Sequence, residues 1–142
     1  MKVRSTIGVL AVVTLTQAGC ATHVESLSLQ PVTSQAGAQQ DVALYFGSQA
    51  HPGVKRKLGE RTQSVRIARK NDDKQASCDQ ALTDALQKLR GYARDHQANA
   101  VINITTRFHS TETSSNTNYT CGLSTSAASI IVRGDVVVLE SQ

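Results

Sequence analysis

Ser77-Cys78-Asp79-Gln80-Ala81-Leu82-Thr83-Asp84-Ala85-Leu86-Gln87-Lys88-Leu89-Arg90-Gly91-Tyr92-Ala93 carries the strongest local structural signal in the chain. Cys78, Leu82, Ala85, Leu86, Leu89, Tyr92 and Ala93 recur at three- and four-residue spacing, which puts them on one stripe of a helix. Asp84, Lys88 and Arg90 fall elsewhere. Ser77 is a good N-cap, Gln80 completes a capping box, and Asp79 places negative charge at the positive end of the helix dipole. Gly91 weakens such a helix by about 1 kcal/mol relative to Ala and suits close approach to a strand. The apolar stripe of a helix starting at Ser77 requires a sheet to cover it.

Strand signals lie on both sides. Val42-Ala43-Leu44-Tyr45-Phe46 is a short apolar run closed by Gly47, as expected of a buried strand. His51-Pro52-Gly53 gives a turn, Val54 to Glu60 carries charge, and Ser64 to Arg69 alternates as a half-solvated strand does. After the helix, Val101 to Phe108 is rich in β-branched residues, with Ile102, Ile104 and Thr106, or the alternate set, facing inward. Thr111 to Asn118 reads as a polar hairpin loop leading into Tyr119-Thr120-Cys121. Ala127 to Leu139 reads as a long strand broken at Gly134-Asp135. The expected fold class is α+β: one main amphipathic helix packed on a small, mostly antiparallel sheet of four to five strands. With a low aromatic content and no Trp, the core draws on Val, Ile, Leu and Ala with Tyr45, Phe46, Tyr92 and Phe108.

The chain opens with Lys2 and Arg4, an apolar run from Ile7 to Leu15, then Thr16-Gln17-Ala18-Gly19-Cys20. The run is shorter than the roughly 20 residues needed to span a bilayer and matches a signal-peptide core. Residues 1–19 are therefore expected to be a leader. Ala18-Gly19-Cys20 resembles the end of a bacterial lipobox, although Gln17 stands where an apolar residue is usual. Cys20 is accordingly the candidate lipidation site, carrying diacylglycerol and acyl chains such as palmitate. The alternative is ordinary secretion, with cleavage after Ala18 or Ala21. Residues 20–40, rich in Ser, Thr, Gln, Gly and Ala, read as a flexible tether of roughly 65–70 Å at full stretch. The competing reading is an edge strand at Leu27-Ser28-Leu29. A single domain over residues 41–140 follows.

The formal charge of +4 falls to +2 once Lys2 and Arg4 leave with the leader, too balanced to argue for nucleic acid. With Cys20 lipidated, Cys78 and Cys121 remain, and an exported pair most simply forms one disulfide. The alternative is a metal site drawing on Cys78, Cys121, His51 and His109, which would suit zinc, although no short-range ligand pair holds two of them on one face.

Cys78-Asp79-Gln80-Ala81-Leu82 at the helix start, Ala98-Asn99-Ala100-Val101 after it, and Cys121-Gly122 ahead of Gly134-Asp135-Val136-Val137 together resemble the RcsF-related small envelope lipoproteins. More broadly they resemble the YbjQ-like domain. The resemblance covers about residues 41–140 and implies a helix on a small sheet, with a disulfide from the helix start to a later strand at Cys78 and Cys121. It implies action by protein–protein interaction, as an envelope-stress sensor or a scaffold; the alternatives are a periplasmic metal- or small-ligand-binding protein and a structural subunit of an envelope assembly. Some short proteins similar to this one carry the label of an excinuclease ATPase subunit. The phosphate-cradling run Gly-x-x-x-x-Gly-Lys-Ser/Thr and the paired Cys-x-x-Cys motifs that such a subunit needs do not occur here.

No Gly-x-Ser-x-Gly elbow is present, so no catalytic residue and no cofactor are expected. The candidate binding surface is basic: Lys55, Arg56, Lys57, Arg66 and Arg69, suited to anionic lipid or an acidic protein partner. Ala21 after Cys20 lacks the Asp associated with inner-membrane retention. The expected location is therefore the periplasmic side of the outer membrane, held by the N-terminal lipid beside an envelope protein partner. Soluble periplasmic or secreted protein is the alternative.

Overall fold

The computed structural model describes residues 21–35 and 41–141. The leader at 1–19 and the lipidation site Cys20 lie outside the described residues. The elements, in chain order, are β1 (His23–Ser28), α1 (Gln30–Gln35), β2 (Ala43–Phe46), β3 (Val54–Ala68), α2 (Lys74–Asp95), β4 (Ala100–Phe108), β5 (Thr111–Thr113), β6 (Asn118–Leu123) and β7 (Ala127–Leu139).

The expected α+β architecture on a four- to five-stranded, mostly antiparallel sheet is corrected. The protein is mostly β, with a mixed sheet of seven strands and two helices, one of them short. Two of the strands are short and polar, β1 (HVESLS) and β5 (TET), and carry too little apolar periodicity to announce themselves. β7 is the spine. β3 pairs along its whole length on one side, while β6 and β4 share the other. β1 extends the sheet beyond β6, and β2 lies parallel to β4.

The expected tether is corrected over residues 23–35. β1 pairs with β6 from His23↔Leu123 to Ser28↔Asn118. Leu29 and Val32 are buried in the main core. A polar composition hid a segment in which Leu29 and Val32 are buried and Leu27 is partly buried against the core, while Val24 stays exposed.

α2 begins one turn earlier than expected. Asp73 is the N-cap, accepting from the Ala76 N–H at 3.0 Å. Ser77 instead sits inside the helix and donates its hydroxyl to the Asp73 carbonyl. Cys78, Ala81, Leu82, Ala85, Leu86, Leu89 and Ala93 are buried against one face of the sheet.

The irregularity expected in the last strand sits in its neighbour. β7 runs unbroken, and a Cβ at Gly134 would lie 2.4 Å from Val101 Cγ1, so glycine is required there for close packing. β4 carries the bulge: its register to β7 shifts between Ile102 and Thr105, and Asn103 has φ 53°. The extra residue splits the apolar set. Val101 and Ile104 join the main core, whereas Ile102 joins a second cluster with Ala100, Val137 and Leu139, packed by Tyr45 and Val54. The core's fully buried ring is Tyr119, which sequence reasoning had not placed there.

Candidate interaction surface

The basic surface expected from the sequence does not form one patch. β3 is a single strand of 15 residues, so Lys57 and Arg69 stand about 40 Å apart along it. Lys55, Arg56 and Lys57 lie at the end of the sheet where β7 finishes, with Arg56 opposite Val138 and Lys57 opposite Val137. Arg66 and Arg69 lie at the other end, where Arg66 pairs with Ser129 and the Arg69 N–H bonds to the Ser126 carbonyl. Arg69 is half-buried, and its guanidinium donates to the Ser124 carbonyl at 2.8 Å. It braces the β6–β7 turn. This splitting corrects the five-residue surface, because one sequence stretch became one long strand.

The end bearing Lys55, Arg56 and Lys57 gathers cations that the sequence reading passed over. α2 runs toward it for about 33 Å and delivers Arg90 and Arg94 there. Arg94 approaches Asp41 at 3.6 Å, and Arg90 donates to the Val42 carbonyl at 3.4 Å. Burial, and then the charge of Arg94, lower the pKa of Arg90 from its ordinary value. Arg61 of β3 lies 4.4 Å above the Tyr92 ring, which stacks on His96 at 4.0 Å. The helix C-terminus favours these cations. Lys55, Arg56 and Lys57 form no ion pair among the described residues and are exposed. A signal for the helical contribution existed in Arg90-x-x-x-Arg94, but nothing local said which strand it would join.

The sheet face away from α2 carries a shallow polar trough of about 390 Å³ lined by Ser48, Glu60, Asn103, Thr105, Arg133 and Asp135. Arg133 donates to Glu112 at 2.9 Å and approaches Glu60 at 3.7 Å, while Asn103 donates to Asp135 at 2.9 Å. The charged side chains of its two ion pairs are about half exposed, so these pairs contribute little to stability.

Cys78 and Cys121 are joined in a disulfide, with Cα atoms 6.1 Å apart and both residues fully buried. The alternative metal set is not brought together. Its two sulfur atoms are bonded to each other, His51 packs its ring edge-on against Tyr45 in the β2–β3 loop, and His109 sits beside Phe108 after β4. One residue from the disulfide on α2, Asp79 accepts from the Tyr119 hydroxyl. Burial, and then this bond and the Asp79 charge, push the Tyr119 phenol far above its ordinary pKa.

No protein-family model matches the chain, and no curated protein matches it. Among solved structures it is similar to a protein of unknown function in the DUF74 family from Pediococcus pentosaceus. The two are 19% identical, the match covers 71% of this chain and 100% of that one, and the TM-score is 0.45.

Proposed function

We propose that this protein is a bacterial cell-envelope lipoprotein, anchored through Cys20 on the periplasmic side of the outer membrane, that acts by protein–protein interaction. The observation that carries the binding reading is the placement of Lys55, Arg56 and Lys57 with Arg90 and Arg94 at one end of the fold. Asp41, Asp95 and Glu140 only partly offset them. Such an end steers an acidic protein surface toward itself. The leader pattern ending in Ala18-Gly19-Cys20 supports the anchor, and the resemblance to the RcsF-related lipoproteins supports a sensing or scaffolding role.

Site-specific photo-crosslinking in the cell tests this. A crosslinker at Lys57 should trap a defined envelope protein, and one at Arg66 should not. The triple variant K55S/R56S/K57S should lose that adduct with its melting temperature unchanged. An adduct that survives neutralisation, or that forms equally from Arg66, would overturn the assignment.

A further inference from the structure

β1 starts at His23, so only Ala21 and Thr22 separate the fold from Cys20. Three residue steps extend about 10 Å at most. A tether that the composition had allowed to reach several times that distance has been consumed by β1 and α1. If acyl chains on Cys20 enter a bilayer, the end of the sheet where β1 begins is held within one headgroup layer of it. We infer that this end is a membrane-docking surface that rests on zwitterionic phospholipid headgroups, so that the end bearing Lys55, Arg56 and Lys57 points away from the bilayer. The inference rests on the reading of Cys20 as lipidated.

The chemistry of that end fits this partner. His23 lies opposite Leu123, next to the Ser124-Thr125-Ser126 turn, and Ala68 lies opposite Ala127 with Arg69 and Lys70 following. The chain then enters α2 through Asp72 and Asp73, and Lys74 bonds to Glu25 of β1 at 2.9 Å. Arg69, Lys70 and Lys74 are thus matched by Glu25, Asp72 and Asp73, with Arg66 a little further along β3. A surface carrying both signs among Ser and Thr complements headgroups that hold a phosphate and an ammonium side by side. Counting Arg66, its excess is a single positive charge, too little to demand an anionic lipid. Val24, next to His23, is the large apolar side chain left exposed among the described residues, at 46% of its area. An apolar side chain four residues along the chain from the acylated one gains by entering the headgroup layer.

The two ends are separated by the length of β3. The partner-binding end therefore stands about 40 Å from the membrane, at a height set by a folded strand and not by a flexible chain. A partner must either lie at that height or extend to it.

The test uses the mature acylated chain in phosphatidylcholine/phosphatidylethanolamine vesicles that carry a headgroup-level quencher. A fluorophore is attached at Ser126→Cys or, separately, at Lys55→Cys, and intact mass is measured on the same material. Several-fold stronger quenching at position 126 than at 55, without added phosphatidylglycerol, is the expected result. Equal quenching at the two positions on acylated protein would overturn the docking orientation while leaving the lipid anchor standing. Quenching at 126 that appears only with phosphatidylglycerol would overturn the zwitterionic assignment. A mass without acyl groups would overturn the anchor and the docking surface together.

Discussion

The Tyr119 hydroxyl donates to Oδ1 of Asp79 at 2.5 Å, tying β6 to the first turns of α2 beside the Cys78–Cys121 bridge. Asp79 also accepts from Gln75 at 2.7 Å, so the carboxylate is held from two sides. Tyr119→Phe removes one donor and leaves the carboxylate with an unmet acceptor site. Urea denaturation at neutral pH should show a loss of about 1.5–3 kcal/mol, the usual worth of a hydrogen bond to a charged group.

The same bond predicts alkaline behaviour. Burial raises the folded-state pKa of Tyr119 above that of the unfolded chain, about 10. Its contribution is therefore complete below about pH 10 and is lost as pH rises further, because the unfolded state releases a proton that the folded state keeps. Between about pH 10 and about pH 12 the protein should lose about 1.4 kcal/mol per pH unit through this group. Tyr119→Phe, measured by the same denaturation across that range, should lack this component and fall more gently than wild type. Parallel slopes in the two proteins would count against it.

Leu29 distinguishes a folded N-terminal segment from a tether. Its side chain is 1% exposed, and its N–H bonds to the Thr117 carbonyl at 2.8 Å. Leu29→Ala should cost about 2–5 kcal/mol, as large-to-small changes in a packed core do. A flexible linker would give almost no change in the denaturation midpoint.

The disulfide closes a separation of 43 residues. The double variant C78A/C121A should lose about 2–4 kcal/mol, read as a lower urea midpoint, mainly because the unfolded chain regains the freedom that the bridge removed.

Gly122 is a packing requirement. A Cβ there would lie 2.3–2.6 Å from three atoms of the Phe108 ring, so Gly122→Ala must displace the β4–β5 hairpin. The expected cost is about 1–3 kcal/mol. Adding Phe108→Ala should recover part of it, and the double-mutant cycle measures the coupling. Strict additivity would show that the ring does not press on this strand.

The stripe Cys78, Leu82, Ala85, Leu86, Leu89 could be read from the chain because helix periodicity is set within a few residues by the backbone itself. Even there the start moved from Ser77 to Asp73: both residue types cap helices, and the choice between them lies in the turn that precedes. Strands were harder. His23–Ser28 and Thr111–Thr113 are strands because β6 and β4 offer them backbone partners, not because their own residues demand it. The break placed at Gly134 belonged to Asn103 across the ladder, and a glycine gives the same local signal whether it bends its own strand or makes room for a neighbour.

The charged residues divide in the same way. Residue order alone was enough to identify a basic stretch from Lys55 to Arg69, a leader pattern ending at Cys20 and two further cysteines, since each is a property of neighbours along the chain. Only pairing with β7 separated Lys57 from Arg69 by about 40 Å, and only the packing of α2 brought Arg90 and Arg94 to the same end as Lys57. Register and helix direction are non-local, fixed by which apolar faces bury one another. The position of a charge in space follows from them.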